Sequence, residues 1–446
     1  MELQDLIHDD GKRGVFRVHR SAFTSPDIAE LEHQKIFDKC WLYLGHESEV
    51  AKPGDFRRRT VAGRPLFWVR GDDGNVRVFH NTCTHWGANV CRVDEGNAET
   101  FQCFYHAWTF DNQGKLVSVP DEAGYSQGFN KAEMGLVSPP RLEQYRGLYF
   151  VSFNPGVADL TTYLAGAKEY LDLILDQSQE GWRVVPGTQK YGVRANWKMF
   201  SLNSLDSYHV KPLHVTFFKY TQSLGPGEPP PPPPAFPGPQ GRSLALGNGH
   251  GVDILVAGER ARPIAQWHPI LGEETKEEIR SVRANLVERF GEERAYLMCN
   301  TNRLLLIYPN FALHDIAGIS LRYFEPAGPE SMQVTVQTLA PKNESAELLS
   351  RRLENFLSFL GPGGFAHPDD IEAMESAQIG FKAGGPGWMD ASRGMDREPT
   401  AVDEVHVRSF WRQWHANMMG RAKASRFEDV QDDTRARREK LIRGES

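Results

Sequence analysis

The stretch "NTCTHWGANVCRVDEGNAETFQCFYHAWTF" (residues 81–110) carries two cysteines and two histidines in alternating order, Cys83 and His85 followed by Cys103 and His106. Thiolates and imidazoles are the side chains that hold zinc and iron. A zinc finger presents a Cys pair and then a His pair, so the alternating order suits a different object. Two loops that each give one Cys and one His can grip a [2Fe–2S] cluster from both sides. The cysteines then hold one iron and the histidines the other. Gly87 and Gly96 permit turns close to such a group, and Trp86, Phe101, Phe104 and Trp108 can shelter it from solvent. Cys91 lies off the ligand spacing and reads as a buried side chain.

A second set lies in "NWKMFSLNSLDSYHVKPLH" (residues 196–214), where His209 and His214 stand five apart. On an unbroken helix they would point about 140° apart. Pro212 between them obliges the helix to kink or stop near Lys211, which lets His214 swing back. Two neutral imidazoles and one carboxylate make a facial triad for non-haem Fe(II), with positions left open for O2. The carboxylate must come from elsewhere, and "GFAHPDDIEAMESAQ" (residues 364–378) supplies Asp369 and Asp370 at a helix start. Only one of two adjacent residues can face the iron, and spacing does not choose between them.

These residues need a scaffold. "SPDIAELEHQKIFDKCW" (residues 25–41) has the spacing of an amphipathic helix behind a Ser-Pro start. From about 41 to 155, short runs such as "RPLFWVRG", "VRVFHNT" and "LYFVSF" punctuated by Gly, Asp and Asn predict a small antiparallel β domain. Residues 156–446, joined by a helical part over 1–40, predict a larger α+β domain. Its strands run through "NRLLLIYPNFALHDIAGISLRYFEP" and "MQVTVQTLAPK", followed by helices, without the alternation of a parallel sheet. Helical patterning also marks "LTTYLAGAKEYLDLILDQ". "GPGEPPPPPPAFPGPQG" (residues 225–241) reads as an extended surface loop, and the charged end "RFEDVQDDTRARREKLIRGES" as a solvated or frayed helix. Lys and Arg number 51 against 58 Asp and Glu, a net charge of −7 that gives no footprint for nucleic acid. Five cysteines are too few and too odd in number for a disulfide framework. No run is apolar enough to span a membrane. The N-terminus is too polar for a signal peptide, so the expected compartment is the cytoplasm.

The first motif, with its trailing "YHAWTF", resembles the Rieske signature of aromatic-ring-hydroxylating oxygenase large subunits. Ala107 stands where that family mostly has Gly, and Phe104 where it often has Pro. The second set resembles the same family's "D-x-Y-H-x4-H" and "G-F-x-x-x-D-D-x4-E" patterns. Matching Glu375 to the trailing Glu of the latter implies that Asp370 is the iron ligand. Asp206 matches the carboxylate that links an iron-ligand His to a cluster His of the neighbouring subunit, here His209 to His106. The family commonly has Glu before the Asn where this chain reads Leu202-Asn203, so Asn203 is the polar residue left at that point, a candidate on the substrate side. "DEVHVRSFWRQWHANMMG" is similar to the branch with salicylate, terephthalate and p-cumate oxygenases. That implies an aromatic substrate, aromatic acids included, with Arg393 and Arg408 as candidates to pair a carboxylate.

The resemblance implies a small Rieske domain and an α+β catalytic domain in a trimer, often with small β subunits. Electrons would come from NAD(P)H through a separate flavin reductase, in some systems by way of a ferredoxin. The chain has no Gly-x-Gly-x-x-Gly fingerprint of its own. The implied reaction is hydroxylation of an aromatic ring, most simply as a cis-dihydrodiol. Monohydroxylation or dealkylation could use the same site. A pure electron-transfer Rieske protein or a zinc-stabilised binding protein are the readings from other classes.

Overall fold

The computed structural model describes residues 2–227, 241–256, 266–385 and 387–423. Most of the proline-rich stretch and the charged end lie outside the described residues. The chain divides into two compact units, one of Phe37–Leu160 and one of Met1–Ile36 with Thr161–Ser446.

The smaller unit consists of three antiparallel sheets. One has four strands, in the order Val76–His80, Arg64–Arg70, Asp55–Val61, Glu95–Asn97. The others have three strands each: Thr100–Gln102, Thr109–Asp111 and Leu116–Ser118, and Arg141–Tyr145, Leu148–Ser152 and Leu42–His46. Two of its hairpins turn on pairs with positive φ, Ala62-Gly63 and Arg146-Gly147, the backbone a tight two-residue β-turn needs. Its core gathers Phe67, Phe79, Phe101, Trp108 and Phe110 around Cys83 and Cys103. Gly96 lies within a strand, where an added Cβ would meet the Phe56 ring at 2.9 Å. It serves that packing and makes no turn at the cysteines.

The larger unit is built on an eight-stranded antiparallel sheet. In chain order its strands are β1 (Trp182–Val184), β2 (Gln189–Val193), β3 (Arg242–Ala245), β4 (Gly251–Val256), β5 (Thr301–Ile307), β6 (Phe311–Asp315), β7 (Ile319–Pro326) and β8 (Met332–Pro341). β1 and β2 both pair with β8, and the sheet continues through β7, β6, β5 and β4 to β3. β5 and β6 are buried throughout, as a sheet covered on both faces requires.

The helices that matter for the site are α1 (Pro26–Glu32), α2 (Ala167–Leu175), α3 (Trp197–Asn203), α4 (Val210–Leu213), α5 (Val215–Ser223), α6 (Lys276–Asn300), α7 (Ala346–Leu360), α8 (His367–Lys382) and α9 (Val405–Met418). Ser25 caps α1, accepting from Ile28 N at 3.4 Å, and Asn196 caps α3, accepting from Lys198 N at 3.1 Å. A buried carboxylate ties three helices together. Glu32 of α1 accepts from Trp197 Nε1 (2.7 Å) and Trp414 Nε1 (2.6 Å) and pairs with Lys198 Nζ. Fully satisfied buried charge of this kind costs about 3–5 kcal/mol when one partner is removed, so α3 is held firmly from behind.

Two expectations need correction. The N-terminal part is not simply helical. Ile7–Asp10 and Val15–His19 form a hairpin that Trp388–Asp390 extends to three strands. The helix that follows ends in a π-turn at His33–Phe37, short of Trp41. In addition, α6 was not expected. It is rich in Glu and Arg, and Gly291 (φ 77°) breaks its helical run.

Candidate metal centres

In the smaller unit the two motif loops have the same backbone. Cys83 N donates to Ala88 O and Gly87 N to Cys83 O, both at 2.8 Å. Cys103 N donates to Trp108 O (2.8 Å) and Ala107 N to Cys103 O (2.9 Å) in the same pattern. Each loop therefore folds back four residues after its cysteine through a residue with positive φ, Gly87 at 78° and Ala107 at 56°. That is why glycine suits both places, and Ala107 adopts this backbone in spite of its Cβ.

The loops bring the histidine rings together edge to face, His85 Nδ1 to His106 Nδ1 at 3.1 Å. Cys83 and Cys103 lie buried beneath them without a disulfide. Burial pushes the Cys83 thiol up, and Cys103 beside it raises it further. Burial and then the neighbouring His106 push the His85 imidazole down. Two buried sulfurs and two facing ring nitrogens are the donor set a mixed thiolate–imidazole [2Fe–2S] cluster needs. The aromatic shell is one-sided. Trp108 is buried and stacks on His85 at 4.7 Å, but Trp86 is 67% and Phe104 62% exposed. The expectation that all four aromatics shelter the site is thus corrected: Phe101 and Trp108 do, and Trp86, Phe104 and Tyr105 form an exposed apolar rim.

In the larger unit, α3 ends at Asn203 and the chain turns through residues 204–208 before α4 begins. Pro212 sits in the first turn of α4, where a missing N–H costs nothing. The break that turns His214 back falls at His214 itself (φ −95°, ψ 36°), where α4 ends and α5 starts, so the expected interruption near Lys211 is misplaced. The two rings meet edge to face, 5.2 Å between centroids.

Asp370 arrives from the first turn of α8. Its Oδ1 lies 3.2 Å from His209 Nε2 and 3.4 Å from His214 Nε2. Ligand atoms of His209, His214 and Asp370 all fall within 4.8 Å of one another. Asp370 opposes both imidazoles with only 7% of its side chain exposed, whereas Asp369 is 39% exposed and reaches the other nitrogen of His214 at 3.5 Å. Asp206 Oδ2 likewise meets His209 Nδ1 at 3.1 Å, while its Oδ1 accepts from Tyr208 N at 2.8 Å. Each histidine thus has a carboxylate behind it on Nδ1, the arrangement that fixes a ligand's tautomer and leaves Nε2 for a metal. The second-carboxylate role of Asp369 was not foreseen; its only sequence signal is adjacency to Asp370.

Burial pushes the His209 imidazole down, but hydrogen bonds to Asp206 and Asp370 outweigh it and carry the group up to about 9. Burial opposes ionisation of Asp370, yet the two histidines hold its carboxyl well below the usual carboxylate range. The Asp370 carboxylate and the two imidazole nitrogens that face it converge as the donor set a divalent cation would take. The residues fit a facial Fe(II) site. Asn203 Nδ2 donates to Asp370 Oδ1 at 3.2 Å. Glu375 accepts from Arg194 N and Nε, both at 2.9 Å, and joins α8 to the strand leading into α3.

A cavity of about 320 Å³ reaches the triad's neighbours Val210 and Phe359, and none of the three ligating residues lines it. Val210, Phe217, Phe359 and Ile316 line it, with Asn302, Asn355 and His268 among its polar side chains. Phe359 lies 6.0 Å from the His214 ring and 4.4 Å from Phe217. Asn203, Arg393 and Arg408 are not among the lining residues. The Arg408 guanidinium donates to the carbonyls of Ala391 (2.9 Å) and Arg393 (2.8 Å). Arg393 donates to Val402 O and lies 4.0 Å from the centre of the Tyr208 ring. The expectation that these arginines hold a substrate carboxylate is corrected: both are spent on fixing the segment before α9.

Both parts of the chain resemble known proteins. Residues 40–140 match the Rieske [2Fe-2S] domain, and residues 163–420 match the ring hydroxylating alpha subunit catalytic domain. The chain is 33% identical over 410 residues to toluate 1,2-dioxygenase subunit alpha of Pseudomonas putida, covering 90% of this chain and 87% of that one. It is 32% identical to the anthranilate 1,2-dioxygenase large subunit of Acinetobacter baylyi, covering 85% and 81%. Among solved structures it resembles naphthalene 1,2-dioxygenase from Rhodococcus sp. bound to indole, with a TM-score of 0.77 and 27% identity over 91% of this chain and 95% of that one. Two matched domains and relatives aligned over four-fifths or more of their length lead to one conclusion: the chain belongs to the ring hydroxylating alpha subunits, the Rieske-domain non-haem iron dioxygenases.

Proposed function

We propose that the chain is the terminal oxygenase of a multicomponent system and that it dihydroxylates an aromatic carboxylate. One observation carries this reading: His209, His214 and Asp370 converge next to Val210 and Phe359, which line an apolar cavity sized for a single substituted ring. In this reading Cys83 and Cys103 hold one iron of the cluster, His85 and His106 the other, and the triad holds the mononuclear iron. With both groups bound, the cluster supplies electrons one at a time and the ferrous ion supplies open positions for dioxygen.

The chain's own residues do the rest. Asp206 and Asp369 keep protons on the Nδ1 atoms of His209 and His214, so both Nε2 lone pairs point inward. Phe217 and Phe359 hold the ring of the substrate and exclude water. His268 and Asn302 are the hydrogen-bonding side chains for its carboxylate, Asn355 Nδ2 being held by Ala317 O at 2.8 Å. His268 Nδ1 accepts from Ile270 N at 3.3 Å, which puts the imidazole proton on Nε2. The aromatic acids in the names of the toluate and anthranilate enzymes support this substrate class.

Asp206 would also span from His209 to His106 of a neighbouring chain, in a trimer with or without a small β subunit. NAD(P)H would act through an external reductase, with or without a ferredoxin. No helix of the described residues is long and apolar enough to cross a membrane, and a cytoplasmic setting is part of the proposal. The test is product analysis with a surrogate reductase, pairing each aromatic acid with its uncharged parent ring. Preferential formation of a cis-diol from the acid is expected. Preference for the uncharged ring would overturn the substrate class, and a monohydroxylated or dealkylated product would overturn the reaction type.

A further inference from the structure

We infer that the backbone presenting Asp206 is clamped by three buried side chains, and that His406 and Asp253 are positioning residues for electron delivery through that carboxylate. The inference rests on the role proposed for Asp206 above.

Asp206 sits in the turn between α3 and α4, where only short-range turn bonds such as Asp206 N to Asn203 O (3.2 Å) come from the segment itself. Its neighbours on both sides are instead tied to three separate elements. Ser204 O meets His314 Nε2 of β6 at 3.2 Å. Leu205 O meets His406 Nε2 of α9. Ser207 N donates to Asp253 Oδ2 of β4 at 3.1 Å. All three side chains are buried.

Two of the three clamps are themselves oriented, His314 and Asp253, while the Nδ1 of His406 is buried without a hydrogen-bond partner among the described residues. Arg322 Nη1 donates to His314 Nδ1 at 3.2 Å, so the His314 proton must be on Nε2, facing the carbonyl. Ser243 Oγ donates to Asp253 Oδ1 at 2.6 Å. His406 Nε2 lies 3.9 Å from Asp253 Oδ2, so these two also face one another. Strand and helix meet as closely as glycine permits. A Cβ on Gly251 would lie 2.7 Å from His406 Cβ and 3.4 Å from Leu205 Cδ1.

Buried polar side chains often do no more than satisfy a broken helix's carbonyls. Here they fix the backbone on either side of one residue whose carboxylate oxygens are already committed to Tyr208 N and His209. A bridging carboxylate works only if both of its partners stay within hydrogen-bond reach, so small displacements of the turn would uncouple it. The clamp confines that motion.

The test uses the full chain loaded with both metal groups, comparing His406→Leu, His406→Gln, Asp253→Ala, Asp253→Asn and Gly251→Ala with Asp206→Asn. The readouts are iron content, melting temperature, the reoxidation rate of the reduced cluster with substrate and O2, and amide exchange of residues 204–208 in metal-free protein. His406→Leu should raise amide exchange there and slow reoxidation by about tenfold, the low end for loss of an outer-shell partner, with iron content unchanged. His406→Gln keeps an N–H near the Nε2 position and should restore most of the rate. Asp253→Ala removes the acceptor for Ser207 N and should slow reoxidation as His406→Leu does. Asp253→Asn, which keeps an acceptor, should restore most of the rate. Wild-type reoxidation in Asp253→Ala would overturn the role of Asp253. If His406→Leu does not fold, Gly251→Ala supplies the same displacement sterically and should show the same slowing. Wild-type reoxidation in His406→Leu or Gly251→Ala, with Asp206→Asn slow, would overturn the clamp alone. Wild-type reoxidation in Asp206→Asn would overturn the role of Asp206, and the clamp with it. Rate, iron and melting temperature falling together, without rescue by Gln, would mean a structural role only.

Discussion

Ala107 holds a left-handed backbone at φ 56° in the second cluster loop, in the place that Gly87 fills in the first. A Cβ in that region costs roughly 1–2 kcal/mol. Glycine would remove that cost, but would add about 0.5–1 kcal/mol of chain entropy to be lost on folding. Ala107→Gly should therefore stabilise the cluster-bearing unit by about 0.5–1 kcal/mol, or roughly 2–5 °C in melting temperature for a unit of this size. The reciprocal change is available in the same molecule. Gly87 has φ 78°, and a Cβ there would meet only Thr82 Oγ1, at an ordinary 3.7 Å. Gly87→Ala should thus destabilise by a similar amount through backbone strain and not through a clash. The assay is thermal unfolding followed by the visible absorption of the oxidised cluster, which reports this unit. If Ala107→Gly lowered the midpoint, or both variants moved it the same way, the assignment of strain to this residue would be wrong.

Further tests bear on the metal ligands. His85→Ala and Cys103→Ala should each abolish the visible absorption of the purified protein; a variant that retained a full Rieske EPR signal would contradict the cluster assignment. Asp370→Ala should lose the mononuclear iron and leave the cluster reducible. Asp369→Asn should keep that iron, with affinity weakened by about 10–100-fold, because it touches only the far nitrogen of His214; metal analysis after dialysis separates the two. Carried up to about 9 in the metal-free chain, His209 holds a proton that the metal must displace. Metal affinity should therefore fall about tenfold per unit as pH drops below about 9. A raised imidazole stabilises the proton-bound form, so its contribution to metal-free stability is complete below about pH 6.5 and is lost as pH rises through about 9. A competitive metal titration that was flat with pH would refute this.

The chemistry-bearing residues were far more legible than their surroundings. Cys83, His85, Cys103 and His106 are local in sequence, and their order alone separates a cluster from a zinc finger. His209 and His214 were legible as a pair because Pro212 rules out one continuous helix through both, although the break falls at His214 and not near Lys211. The choice between Asp369 and Asp370 needed the family pattern, since which side of α8 faces the histidines depends on how the helix lies against α3. Arg393 and Arg408 show the opposite limit. Nothing in a sequence distinguishes a guanidinium facing a cavity from one spent on backbone carbonyls. His314, His406 and Asp253 lie more than 40 residues from Asp206. Although His406 falls within the stretch 403–420, nothing there points to Asp206; only the packing of β4, β6 and α9 around the turn reveals them. The N-terminal hairpin escaped notice because its first strand, "IHDD", is short and polar. Helix α6 did so because its charged residues interrupt the apolar repeat.

Oxygen delivery at the His209, His214 and Asp370 site is the central claim. The direct measurement is one turnover under labelled dioxygen, using an aromatic acid that the product screen shows to be a substrate. Wild-type protein and Asp370→Ala protein with an intact, reduced cluster would be compared. Wild type should place both atoms of one dioxygen molecule in the product, and Asp370→Ala should yield none while its cluster stays reduced. Product carrying oxygen from water, or equal labelled product from both proteins, would contradict it.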